Sequence, residues 1–236
     1  MNYVVLLFFV SALCALSQGT VTDTKPGVST AGPPTETLRY SVNWPSGLSL
    51  GEATLSSSAS EAVYTLSFAL DASIPGLVIQ ERASAKATPN YCSLELQKSF
   101  VRGNRKANET TTFDLEARKV TRKTKDGGSS EVSTSQCARD AITYLYFLRR
   151  ELAAGRLPLD QKVYYGHGYD VHVQFAGVQK VPLESELVEA ERVLLTIKGA
   201  SSENTAEILF AKDPKRTPLI IRVPFVLGKF SMELQR

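Results

Sequence analysis

The chain has 236 residues, of which 43% are hydrophobic and 22% charged. That balance excludes a disordered polymer and suits a single domain large enough to bury a sizeable core. Basic side chains outnumber acidic ones only 27 to 24, so nothing pulls the whole molecule toward a polyanion. The charge is uneven, however. Lys98 to Lys125 carries nine basic residues against three acidic ones.

The opening MNYVVLLFFVSALCALSQG reads as a secretory signal peptide over residues 1–17. Its apolar run, Val4 to Leu16, is too short for a comfortable membrane span. Ala15 and Ser17 are small and well placed for cleavage before Gln18. Cys14 follows Leu13, where a lipidated cysteine is preceded by a small residue, so soluble export is favoured over an anchor. No later stretch is apolar and long enough to cross a bilayer. Two cysteines then remain, Cys92 and Cys137. In an oxidising compartment such a pair reads first as a disulfide, with two buried thiols as the alternative.

Residues 18–35 (QGTVTDTKPGVSTAGPPT) are rich in Thr, Gly and Pro and read as a flexible spacer. From Glu36 to Arg236 the chain reads as one β-rich domain. Leu38, Tyr40, Val42 and Trp44 alternate with polar residues, the period of a half-buried strand. Pro45-Ser46-Gly47 turns the chain into a second strand, Leu48 to Ser56. Glu61 to Ser73 alternates again, Ile74-Pro75-Gly76 breaks it, and Leu77 to Ala87 resumes. Cys92, Leu94 and Leu96 share a face, which points Cys92 inward. Lys98 to Lys125 reads as polar, twisted hairpin strands at an edge, ending on the turn Asp126-Gly127-Gly128. Charge there discourages edge-to-edge pairing.

CARDAITYLYFLRRELAAG, Cys137 to Gly155, is the one convincing long helix, expected over 137–154. Ser135 is the expected cap, with Asp140 suiting the positive end of the helix dipole. Ala138, Ala141, Ile142, Leu145, Leu148 and Leu152 fall on one face. Tyr144, Tyr146 and Phe147 spread aromatic surface over much of the rest, so the helix is expected to be covered on most sides. Gly155 suits a left-handed stop. Strands return after Pro158: Tyr169 to Phe175, Leu183 to Val188, Val193 to Ile197, Ile208 to Phe210, Leu219 to Val223 and Phe230 to Leu234. The fold class is mainly β (α+β): a curved antiparallel sheet or partly closed barrel of about 10–13 strands around one central helix.

Catalytic signatures are sparse. His167 and His172 lie in GHGYDVH with Asp170 between them. They have opposite strand parity and no fourth ligand is indicated, so no metal site is expected. There is no G-x-S-x-G elbow. Glu184/Glu186 and Glu189/Glu191 read as solvated charge, and Asn108-Glu109-Thr110 as a chance sequon. No cofactor is called for. The basic segment, with Arg118, Lys119, Arg122 and Lys123 at its heart, has too few aromatic residues for a single-stranded nucleic-acid groove. It reads as a solvated edge, or as a surface for docking an envelope partner.

Three segments carry a family resemblance: YSVNWPSGLSLGEA (Tyr40 to Ala53), CARDAITYLYFLRREL, and the ending RTPLIIRVPFVLGKFSMELQR. Over roughly Glu36 to Arg236 the chain resembles a bacterial envelope family catalogued as domain of unknown function 3108. The resemblance implies an exported protein in the periplasm of a Gram-negative bacterium, with an antiparallel β-rich fold and no established catalytic residues. In architecture it is also similar to periplasmic lipoprotein carriers, whose curved sheets hold acyl chains against helices. That analogy concerns fold.

The expected function is therefore a non-catalytic envelope protein. One form binds an apolar or acyl ligand in a cleft lined by Trp44, Phe68, Tyr144, Tyr146 and Phe147; the bland reading of the same residues is plain core. The alternatives are an assembly factor that docks a partner through residues 98–125, and a hydrolase without a recognised motif.

Overall fold

A computed structural model describes residues 33–235, apart from 61, 75, 184, 226 and 227. The expected signal peptide and nearly all of the expected spacer lie outside the described residues.

Period-two patterning produces strands throughout. The first eight are β1 (Glu36–Asn43), β2 (Ser49–Ala59), β3 (Tyr64–Ile74), β4 (Leu77–Ala87), β5 (Ser93–Arg102), β6 (Arg105–Asp114), β7 (Lys119–Thr124) and β8 (Ser129–Ser133). A two-residue strand, β9 (Arg139–Asp140), leads into the helix α1 (Ala141–Ala153). Six more follow: β10 (Gln161–Tyr165), β11 (His167–Leu183), β12 (Glu186–Lys198), β13 (Glu203–Ala211), β14 (Pro218–Phe225) and β15 (Gly228–Gln235). The fifteen strands among the described residues exceed the expected ten to thirteen.

All fifteen belong to one sheet, ordered β8-β7-β6-β5-β4-β3-β2-β1-β15-β14-β13-β12-β11-β10-β9. Two meanders thus meet in the middle, where β1 pairs with β15 from Arg39↔Gln235 to Asn43↔Ser231. Every pairing is antiparallel except the short one between β9 and β10. The edges β8 and β9 are not joined by a strand ladder among the described residues, so the sheet curls without closing as a barrel.

Antiparallel meandering puts alternate turns at opposite ends. The turns β1–β2, β3–β4, β5–β6, β10–β11, β12–β13 and β14–β15 gather at one end, here the mouth. Helix α1 lies across the other. Its cap bonds Ser93 at the start of β5. Buried Arg149 donates to the Lys215 and Arg216 carbonyls in the β13–β14 turn and pairs with Glu36 at the start of β1. The Arg150 guanidinium stands 5.0 Å from the Tyr91 ring centre in the β4–β5 turn.

The inner face of β4 explains how a helix fits there. Its inward residues run Ile79, Glu81, Ala83, Ala85, Ala87, and α1 packs against β3, β4, β9 and β10. Alanines leave room for the helix diameter where bulkier side chains would not.

The helix starts later than expected. Gln136 and Cys137 form a turn, and Arg139 and Asp140 are extended because Ser93 donates from its backbone to Ala138 O and β9 pairs with β10. The cap is Asp140, not Ser135. Fully buried, Asp140 accepts from the Ile142 and Thr143 amides at 2.9 and 3.0 Å and from the Ser93 and Thr143 hydroxyls at 2.5 and 2.6 Å. At the far end Gly155 adopts φ +69°, the expected left-handed stop. Cys92 and Cys137 form a disulfide that fixes the helix entry to β5.

Two further expectations are corrected. The basic segment is not an edge hairpin: it forms β5, β6 and β7, interior strands, and β8 is the edge. Leu183 to Val188 is no strand of its own. β11 runs on through a bulge at Phe175/Val178 to Leu183, turns, and pairs Leu183 with Glu186. This long hairpin builds a smaller second core with Val181, Leu183, Ala190, Leu209, Ala211 and Leu219.

Candidate functional site

Between the curved sheet and α1 the molecule holds a cavity of about 660 Å3. That lies within the roughly 300–1,000 Å3 typical of ligand pockets. Its walls come from the inward positions of strands on both meanders, including Val42, Leu55, Phe68, Leu70, Val171 and Ile208, and its floor from Ala141, Ile142, Tyr144 and Leu145 of the helix.

The burial pattern shows a void and not a filled core. Leu145 sits in the middle of a helix whose neighbours on either side are buried, yet it keeps accessible surface. So do the inward-facing Phe68, Leu70, Ala72, Ile74, Tyr169, Ile197, Val223 and Met232. Deep residues such as Leu55, Ile142, Leu195 and Ile221 are buried. Accessible apolar positions such as Ile74, Tyr169, Ile197 and Val223 cluster toward the mouth, so the cavity opens there.

Among the described wall residues the charged ones are Glu81 and Arg102. Glu81 is an acid on the otherwise apolar face of β4. It accepts a hydrogen bond from the Tyr165 hydroxyl and pairs with Arg102 at 3.2 Å. Burial, with the Glu81 charge beside it, pushes the Tyr165 phenol far above its ordinary value, so it stays a donor.

Beside this pair the rolled sheet is held across its seam by side chains. The Lys98 ammonium stands 4.3 Å from the Tyr165 ring centre and 2.6 Å from Glu109, and Arg122 lies 2.5 Å from the other Glu109 oxygen. Burial raises the Glu109 carboxyl, but hydrogen bonds from Lys98 and Arg122 outweigh it and hold the group below its ordinary range. Gly166 turns the chain directly over the cluster with φ +75°. A Cβ there would come within 3.1 Å of the Lys98 ammonium, which accounts for a glycine at this contact.

Of the five aromatic residues expected around a cleft, Phe68 and Tyr144 line the cavity. Trp44 packs edge-on against Phe230, a wall residue, at 5.2 Å. Tyr146 and Phe147 face away from it. Tyr146 lies under Arg149 at 4.9 Å, and Phe147 is flanked by Arg139 and Arg150 at 3.7 and 5.0 Å. Tyr165, Glu81, Arg102 and Leu145 were missed as wall residues. For Glu81 a signal existed: its parity within Ile79–Ala87 places a carboxylate inward.

The other candidates separate. His167 and His172 are exposed, and His172 Nδ1 lies 2.7 Å from Asp160, not Asp170. No cluster of three potential metal ligands forms among the described residues. Glu189 pairs with Lys212 and Glu191 with Arg216; Glu184 lies outside the described residues. In the basic segment Lys119 pairs with Glu131 and Arg122 with Glu109, while Arg118 and Lys123 are exposed. Asn108 contributes to a second concavity of about 650 Å3, on the outer sheet face. This one is lined mainly by Ser, Thr and amide side chains together with Arg82, Lys98, Glu109, Lys123 and Lys125, with Phe68, Ala69 and Ala83 as its apolar members.

Residues 39–235 match the family described as Protein of unknown function (DUF3108). No curated protein matches the chain in sequence. A crystal structure of a beta-barrel-like protein of domain of unknown function DUF1849, from Brucella abortus, is similar in fold. The TM-score is 0.63 over 87% of this chain and 98% of that one, at 10% identity. At that identity the likeness concerns fold alone.

Proposed function

The chain belongs to the DUF3108 family of proteins of unknown function, and we propose that it is a non-catalytic envelope protein whose sheet–helix cavity holds an apolar, acyl-chain-like ligand. One observation carries the proposal: apolar side chains facing inward, Leu145 foremost, remain accessible around about 660 Å3 of space. Burying that surface under a ligand is favourable at about 25 cal/mol per Å2. The disulfide and the apolar N-terminal segment support an exported, periplasmic setting.

Native mass spectrometry of gently purified protein, with uptake of an acyl fluorophore, tests the reading. The expected outcome is co-purified lipid and saturable fluorescence enhancement. Ala72→Trp, which places an indole inside the cavity, should abolish uptake while leaving the urea midpoint near wild type. Absence of both lipid and uptake in the wild type overturns the proposal.

The assembly-factor reading draws less support. Lys98, Arg102, Lys119 and Arg122 of the basic segment are engaged within the chain, which leaves fewer cations for a partner.

A further inference from the structure

We infer that the cavity takes an amphiphile with an anionic head, its tail toward α1 and its oxyanion held at the mouth by Arg102 and Arg105. The inference rests on the cavity reading and adds polarity and charge to it.

The polarity follows from the walls. The floor is Ile142, Tyr144 and Leu145 with buried aliphatic residues around them. The charged wall residues lie elsewhere: Arg102 is the last residue of β5, at the mouth, with Glu81 on the neighbouring strand. A ligand with one polar end has one orientation that leaves that end solvated.

The sign follows from which charge is available. The Arg102 side chain is 50% exposed and that of Glu81 only 8%. Each Glu81 oxygen already accepts a bond, one from Tyr165 and one from Arg102. Arg102 uses one of its five N–H donors in that contact, leaving the rest of the fork for an oxyanion. Arg105 sits directly opposite Arg102 in the β5–β6 hairpin. Opposed residues of an antiparallel pair project from the same face, so the Arg105 side chain leaves the sheet on the same face as Arg102, a cavity-wall residue. Arg105 is exposed and makes no ion pair among the described residues. Like charges directly opposed across strands are unfavourable when nothing lies between them. With Glu81 neutralising one cation, the rim keeps one positive charge, and a bidentate oxyanion bridging the two arginines removes the repulsion. A carboxylate and a phosphate share that chemistry.

Displacement of a bound acyl fluorophore by hexadecanoate, hexadecyl phosphate and methyl hexadecanoate tests this. Wild-type protein is expected to bind at least one anion about tenfold or more tightly than the ester, with the gap narrowing in high salt. Arg102→Gln and Arg105→Gln should each shrink the ratio of anion to ester affinity. Lys106→Gln, one residue along and on the opposite face, should leave it intact. A stronger phosphate than carboxylate identifies a phospholipid-type head; the reverse identifies a free fatty acid. Equal binding of acid, phosphate and ester, or an anion preference that survives both arginine substitutions, overturns the head-group inference while sparing the cavity. Failure of the ester and the fluorophore to bind at all overturns both.

Discussion

Two buried carboxylates respond to their surroundings in opposite directions. Asp140 is fully enclosed, and burial raises its carboxyl above the ordinary range despite four hydrogen bonds. Burial also acts on Glu109, yet Lys98 and Arg122 hold it below that range. The linkage signs therefore differ. Asp140 binds its proton more tightly folded than unfolded, so its contribution weakens as pH rises from about 3.9 through the raised value. Glu109 contributes stability that is present above about 4.3 and is lost as pH falls through its depressed value. Urea unfolding of wild type and Glu109→Gln should show a clear destabilisation at neutral pH that shrinks as the solution is acidified below about pH 4. A pH-independent difference would mean that the Lys98 and Arg122 bonds do not depress the carboxyl.

At the scale of elements, the helix separates packing from cavity lining. Leu148 is fully buried in the main core, and Leu145, three residues earlier, faces the void with accessible surface. Leu148→Ala is expected to cost about 2–5 kcal/mol. Leu145→Ala should cost about 1 kcal/mol, since little packing is lost, while altering acyl-probe affinity. Equal costs by chemical denaturation would show that Leu145 is packed. Substituting both Cys92 and Cys137 with Ser removes a cross-link 45 residues apart in sequence, worth roughly 4 kcal/mol in the chain-entropy model. The helix itself was legible from its periodicity, its glycine stop and its want of charge. Its first turn was not. The cap that won, Asp140, is completed by Ser93 from 47 residues away, a partner no local pattern reveals. Leu183 to Val188 failed for the opposite reason: apolar residues on both arms of a hairpin mimic one short run.

For the whole molecule, the chain ends matter more than the middle of the sequence does. β1 and β15 pair at the centre of the fifteen-stranded order, while β8 and β9, from mid-chain, are its edges. A chain ending at residue 225 would leave both β1 and β14 without a neighbour on one side. It should lose cooperative urea unfolding altogether. A retained single transition would show that contacts other than β15 hold the two meanders together as one cooperative unit.

The amino-acid sequence by itself determined the strand faces, the helix and its glycine stop, the pairing of the two cysteines, and the family. These follow from local periodicity, helix termini and the order of a few segments. Tertiary structure alone decided which apolar faces pack and which enclose space. It gathered Glu81, Arg102 and Tyr165, from three strands, on one wall, and it turned Tyr146 and Phe147 away from that wall. Periodicity says that a side chain points inward; whether it meets another side chain or a void depends on how far the sheet curls and where the helix crosses it. Both are set by contacts between residues distant in the chain.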